Sequence, residues 1–144
     1  MPRYNADKIA KLISEMRKAS ERLQLLSSTD KNQFLDNRDK IDSAKYNFII
    51  AIESAIDICN HIISQNGYRI PEDYGDAFKV LFEQGAFNKE FLKNLNAMAK
   101  FRNRLVHIYW ELDNEQIYDY LQINLKDFKN FLNNISEFLQ LENI

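Results

Sequence analysis

Residues 101–110 read FRNRLVHIYW, placing two arginines, a histidine, a tyrosine and the chain's one tryptophan within an amphipathic helical pattern. These residue types suit proton transfer beside an anion. Arg102 offers a planar fork of donors matched to phosphate or carboxylate oxygens. His107, whose unperturbed pKa is about 6.5, exchanges protons near neutral pH. Asn103 adds a carboxamide, and Lys100 and Arg104 add positive charge.

On one α-helix Arg102 and Tyr109 stand seven residues apart, within about 20° of each other, on the side that also carries Leu95 and Met98. Arg102 is therefore expected on or beside the buried stripe. An arginine is rarely buried without a partner, so a cleft or a subunit interface is implied. His107 lies five residues after Arg102, about 140° around an ideal helix. Arg102 and His107 of one straight helix cannot grip the same small group. They converge if the helix tightens or ends near Val106, or if two copies meet across a two-fold axis. Spacing alone leaves a structural role open, with Arg102 paired to a carboxylate, His107 capping the helix C-terminus, and Tyr109 and Trp110 half-exposed against the core.

The charge distribution points to the same stretch. The net charge is −2, which argues against a general polyanion-binding surface. From Asn88 to His107, however, Lys89, Lys93, Lys100, Arg102 and Arg104 oppose only Glu90; that segment carries +4 and leaves −6 for the remainder. A polyanion would have to be met locally.

The elements that position these residues are helices. Three glycines and two prolines in 144 residues leave little punctuation. Ile9, Leu12, Ile13, Met16, Ala19, Leu23 and Leu26 recur with helical period behind the cap candidates Asn5 and Asp7, and Ser27 to Asp30 break the pattern. A longer pattern from Ile41 to Ile63 stops at Asn66-Gly67, a left-handed C-cap signal. Ile70-Pro71 enforces an extended connection. A short helix runs from about Tyr74 to Gly85. A helix from Phe91 then carries the Arg102 region, and Asp113 with Gln116 resembles a capping box opening a last helix through Leu139. The expectation is an all-α antiparallel bundle of about five helices, one domain over residues 1–144, large enough to bury roughly 70% of its unfolded surface.

Other candidates carry less. His61 and His107 lie on different helices without metal-ligand spacing, so no metal is expected. Asp57 and His61, four apart, read as a polar pair partly on the core face. Cys59 lies on an apolar face with no adjacent cation, excludes an internal disulfide, and is expected to be unreactive. Met1 to Lys11 is polar rather than an apolar leader, and no uninterrupted apolar run approaches the ~20 residues that span a bilayer. A cytoplasmic protein without membrane contact is expected.

Arg102-x4-His107-x-Tyr109 is similar to the Arg-x4-His-x-Tyr motif of HEPN-domain proteins, specifically the HepT-like branch of toxin components. The similarity extends to AIESAIDICNHIISQNGYRIPEDYGDAF and MAKFRNRLVHIYWELDNEQIYDYL, which resemble the family's second-helix segment with its following loop and the motif helix with its continuation. These stretches lie between Ala51 and Leu121.

The resemblance implies a homodimeric helical bundle and a metal-independent endoribonuclease with no cofactor, in which two Arg/His motifs share one cleft. RNA, with tRNA among the candidates, is the implied substrate. Arg102 and His107 become the catalytic pair: His107 as general acid or base, Arg102 as donor to the charged phosphorane. Asn103, Arg104 and Lys100 become supporting RNA contacts, and Tyr109 and Trp110 can stack on an unpaired base. The resemblance further implies a partner, a small nucleotidyltransferase antitoxin that transfers AMP to Tyr109. The alternative is a non-catalytic helical subunit that binds a nucleotide or scaffolds a nucleotidyltransferase.

Overall fold

The computed structural model describes residues 1–107 and 112–141, so Tyr109 and Trp110 lie outside the described residues. Among the described residues there are seven α-helices and no strand. They are α1 (Ala6–Ser27), α2 (Lys31–Leu35), α3 (Arg38–Asn66), α4 (Asp76–Glu83), α5 (Lys89–His107), α6 (Asn114–Ile123) and α7 (Lys126–Leu139).

Local chemistry accounts for the helix ends. The Asn5 side chain accepts the Lys8 N–H at 3.0 Å and opens α1. Asn37 does the same for α3 through the Lys40 N–H at 3.1 Å. Gly67 closes α3 at φ 64°, a left-handed conformation that costs glycine little. Asp113 and Gln116 form the expected reciprocal capping box at α6, with the Asp113 Oδ1 accepting the Gln116 N–H at 2.8 Å.

α1 and α3 form the principal helix pair and run antiparallel. At one end the Asn66 side chain bonds both the N–H and the carbonyl of Arg3, at 2.7 and 2.9 Å. At the other, Lys40 Nζ donates to Thr29 Oγ1 at 3.4 Å. Ile9, Ile13, Met16, Ala19 and Leu23 of α1 are buried along this contact. α3 is long and apolar enough to pass a membrane-span test by composition, but most of its apolar window is buried inside the bundle, as befits a core helix.

An aromatic cluster ties α3 to α5, α6 and α7. The Phe48 ring meets Phe101 and Tyr120 edge-on at 5.1 and 5.4 Å and tilts against Phe128 at 6.4 Å. Tyr120 stacks on Phe101 at 3.8 Å. This cluster holds α5 one residue before Arg102, so the registry of that arginine is set by apolar packing.

Two elements differ from the sequence expectation. The segment after Thr29 forms α2, capped by Asp30, whose carboxylate accepts the Asn32 N–H at 3.2 Å; it buries Phe34. The expected single last helix is broken at Asn124 and Leu125 into α6 and α7. The apolar spacing runs through this break without a gap, but α6 packs against α1, α2 and α3, whereas α7 lies against α1 and brings Phe128 to Phe48 of α3 and Phe131 to Phe78 of α4. A turn lets each half bury its own stripe.

Candidate active site

Arg102 projects from α5 toward α3, where Glu53 meets it. Glu53 Oε1 accepts from Arg102 Nη2 at 2.6 Å. Arg102 Nη1 donates to its neighbour Asn103 Oδ1 at 3.2 Å. The guanidinium carbon lies 4.1 Å from the centroid of the Tyr74 ring, which supports it from one face. The Arg102 side chain is 14% exposed and Glu53 37%. A charge-assisted bond of that length, in a half-buried position, orients the fork more firmly than a surface pair would.

Tyr74 is held there by the loop it belongs to. Arg69 binds Asp76 through two bonds of 2.7 and 3.0 Å and Glu83 through a third of 2.7 Å, pinning the segment ahead of α4 onto that helix. The Arg69 bond, helped by the Glu72 N–H, draws the Asp76 carboxyl down to about 2. Gly75 lets the loop approach α5: a Cβ added there would stand 3.1 Å from the Ala99 Cβ. Burial pushes the Tyr74 phenol well above its ordinary range, against the opposing pull of Arg102. Its hydroxyl is buried without a hydrogen-bond partner, as is Arg102 Nε.

Beside this clamp an open groove of ≈ 390 Å³ runs between the start of α4 and α5, lined among others by Tyr74, Lys79, Asn96, Lys100 and Asn103. Of the residues singled out by sequence, Arg102 and Asn103 are brought into contact, and Lys100 and Asn103 share this groove. Arg104 turns toward α6, where its Nη2 lies 3.4 Å from Gln116 Oε1. His107 is the last residue of α5 and is exposed. α5 stays helical through His107, so the expected ~140° between Arg102 and His107 persists within one chain. Tyr109 falls outside the described residues.

Glu53 and Tyr74 were not picked out from the sequence, although a carboxylate partner for Arg102 was foreseen as a type. The signal for Glu53 was an acid directly after the apolar run Phe48–Ile52 on the core helix. Tyr74, at a loop end, gave none.

Of Asp57 and His61, expected as a polar pair partly on the core face, His61 is half-buried and Asp57 is exposed. His61 Nε2 instead accepts the Asn5 N–H at 2.9 Å and helps anchor the N-terminal segment. Partial burial and then Lys8 lower the His61 pKa from its usual value, which favours the neutral ring that accepting this bond requires. Cys59 is buried, and desolvation raises its thiol well above the ordinary range, consistent with an unreactive core residue. Among the described residues no group of three or more His, Cys, Asp or Glu side chains converges as a metal site needs.

This helical architecture is that of the HepT-like ribonucleases, and the chain belongs to that family: the family described as Ribonuclease HepT-like matches residues 16–135. It is thus a ribonuclease. The mRNA nuclease HepT of Shewanella oneidensis is 31% identical over 126 residues, covering 88% of this chain and 94% of that protein. Two solved structures agree in fold. A toxin–antitoxin structure with AMP-PNP matches with a TM-score of 0.84 at 30% identity, covering 91% of this chain and 98% of that one. A tri-AMPylated Shewanella oneidensis HEPN toxin in complex with MNT antitoxin matches with a TM-score of 0.83, also at 30% identity, with the same 91% and 98% coverage.

Proposed function

We propose that the chain is a metal-independent endoribonuclease toxin whose working site is a cleft between two copies, each contributing Arg102 and His107. The observation that carries this reading is the Arg102 clamp. Glu53, Asn103 and Tyr74 hold a half-buried guanidinium in one orientation, five residues before an exposed histidine on the same helix. Within one chain the two side chains diverge around α5; a two-fold partner lets the histidine of one copy approach the arginine of the other.

The chemistry needs only these groups. The ribose 2′-oxygen attacks the adjacent phosphorus while a His107 imidazole takes its proton. The bond to the 5′-oxygen breaks, and that oxygen takes a proton from an imidazolium, giving a 2′,3′-cyclic phosphate and a 5′-hydroxyl end. Arg102 donates to the phosphorane oxygens as negative charge builds. Lys100, Arg104 and Asn103 contact neighbouring parts of the RNA.

A nucleotidyltransferase antitoxin is the proposed partner, supported by the similar toxin structures solved with their antitoxins. The Tyr109 hydroxyl oxygen attacks the α-phosphorus of ATP, pyrophosphate leaves, and the hydroxyl proton is lost. The anionic adduct then lies two residues from His107 and occupies the place of substrate phosphate. The chain is proposed to act in the cytoplasm as one domain.

The test is incubation of purified protein with an mRNA transcript and with tRNA in EDTA. Chelator-resistant cleavage leaving cyclic phosphate ends, absent in His107→Ala, is expected. Cleavage that EDTA abolishes and magnesium restores would overturn the metal-independent mechanism.

A further inference from the structure

We propose that the groove between the start of α4 and α5 is a subsite for one nucleotide of single-stranded RNA next to the phosphate handled by Arg102; this rests on the ribonuclease reading above. The groove is continuous with the Arg102 clamp, because Tyr74 and Asn103 belong to both. Asn96, Lys100 and Asn103 sit at positions i, i+4 and i+7 of α5, so they follow one another along a single helix face. From Asn96 to Asn103 this face is about 10 Å long, room for one nucleotide. Lys79 of α4 and Lys100 of α5 place a positive charge on each bank, and both are exposed.

The polar groups give the groove a direction. Asn103 Oδ1 is committed to Arg102 Nη1, which leaves its amide donors for a ligand oxygen. Tyr74 brings a buried hydroxyl without a partner. Asp73 and Asp76 line the loop bank, but Asp76 is already engaged by Arg69 and by the Glu72 N–H. One Asp73 carboxylate oxygen accepts the Asp76 N–H at 2.9 Å. A phosphate is therefore disfavoured on the loop bank and favoured toward Lys100 and Arg102. Asp73 and Asn96 also line the groove, where carboxylate and carboxamide oxygens can accept from the amino group of a base. Backbone phosphate and base are thus recognised by different groups lining one recess.

Lys79→Ala and Asn96→Leu test the subsite, since both side chains are exposed and stand outside the proposed catalytic set. Cleavage kinetics are measured beside binding, by fluorescence anisotropy, of an RNA made uncleavable by 2′-deoxy substitution at the cut position. Each variant should raise KM and weaken binding by ~3–10-fold with kcat unchanged, as expected for binding lost equally from ground and transition states. Asn96→Leu should change the base preference at one position beside the cut. If both variants bind and cleave like the parent, the subsite is wrong and the ribonuclease reading stands. If the parent cleaves no RNA, that reading fails, and the uncleavable RNA still decides whether the groove binds a strand.

Discussion

Glu53 Oε1 stands 2.6 Å from Arg102 Nη2, joining the middle of α3 to the arginine of α5 across 49 residues of sequence. The pair does two things at once. It compensates a charge that the bundle has half buried, and it fixes the orientation of the guanidinium.

The Glu53 carboxylate therefore bears on both stability and activity. Glu53→Ala should cost about 1–3 kcal/mol, because it leaves Arg102 without its charged partner. Urea unfolding measures this. Glu53→Gln keeps an acceptor and should recover part of the stability while cleavage stays reduced. Equal cleavage by all three proteins would show that Arg102 needs no orientation from α3.

Arg102→Ala and His107→Ala should each lower cleavage by ~10²-fold or more. Their stabilities should differ. His107 is exposed at the end of α5, and its removal should move stability by no more than about 0.5 kcal/mol. Arg102→Ala strands Glu53 and should destabilise measurably. Full activity in His107→Ala removes the histidine from the mechanism.

Tyr109→Phe keeps the ring and loses the hydroxyl that would accept AMP. Co-expressed with a nucleotidyltransferase partner, this variant should stay toxic, while the parent gains AMP mass on the peptide containing Tyr109. AMP found only on other residues would sink this assignment.

His61 gives a pH dependence with a defined sign. Its folded pKa is lowered, with partial burial the larger cause and Lys8 the lesser, so below about 6.5 the unfolded chain binds the proton more readily. Its contribution to stability is present above that pH and is lost as pH falls through the folded pKa, when the acceptor for the Asn5 N–H disappears. Asp57, whose pKa is raised first by partial desolvation of its carboxyl and then by Glu53, acts with the opposite sign at lower pH. The comparison with His61→Gln isolates the histidine. Thermal unfolding between pH 7.5 and 5.5 should fall more steeply for the parent, and parallel curves would count against the anchor.

Phe48 is the centre of the aromatic cluster that fixes α5, so Phe48→Ala should cost ~3–5 kcal/mol. Cleavage should fall in the fraction that remains folded, since the registry of Arg102 depends on Phe101. Denaturant unfolding and activity on the same preparation check both.

What the sequence determined by itself is whatever depends on neighbours within a turn or two. The Asn5 and Asn37 caps, the Gly67 terminator, the Asp113–Gln116 capping box and the helical periods of α1, α3 and α5 are contacts among residues close in the chain. The Arg102, Asn103 and His107 candidates were legible for the same reason, being residue types at fixed spacing on one helix. The tertiary structure decided the rest. Glu53 and Tyr74 reach Arg102 only because apolar packing around Phe48 sets which face of α3 meets α5, and because Arg69 pins the loop before α4. The break between α6 and α7 is of the same kind: the apolar period runs straight through Asn124, and the chain turns there so that both halves reach α1 and α3 while α6 also meets α2 and α7 meets α4.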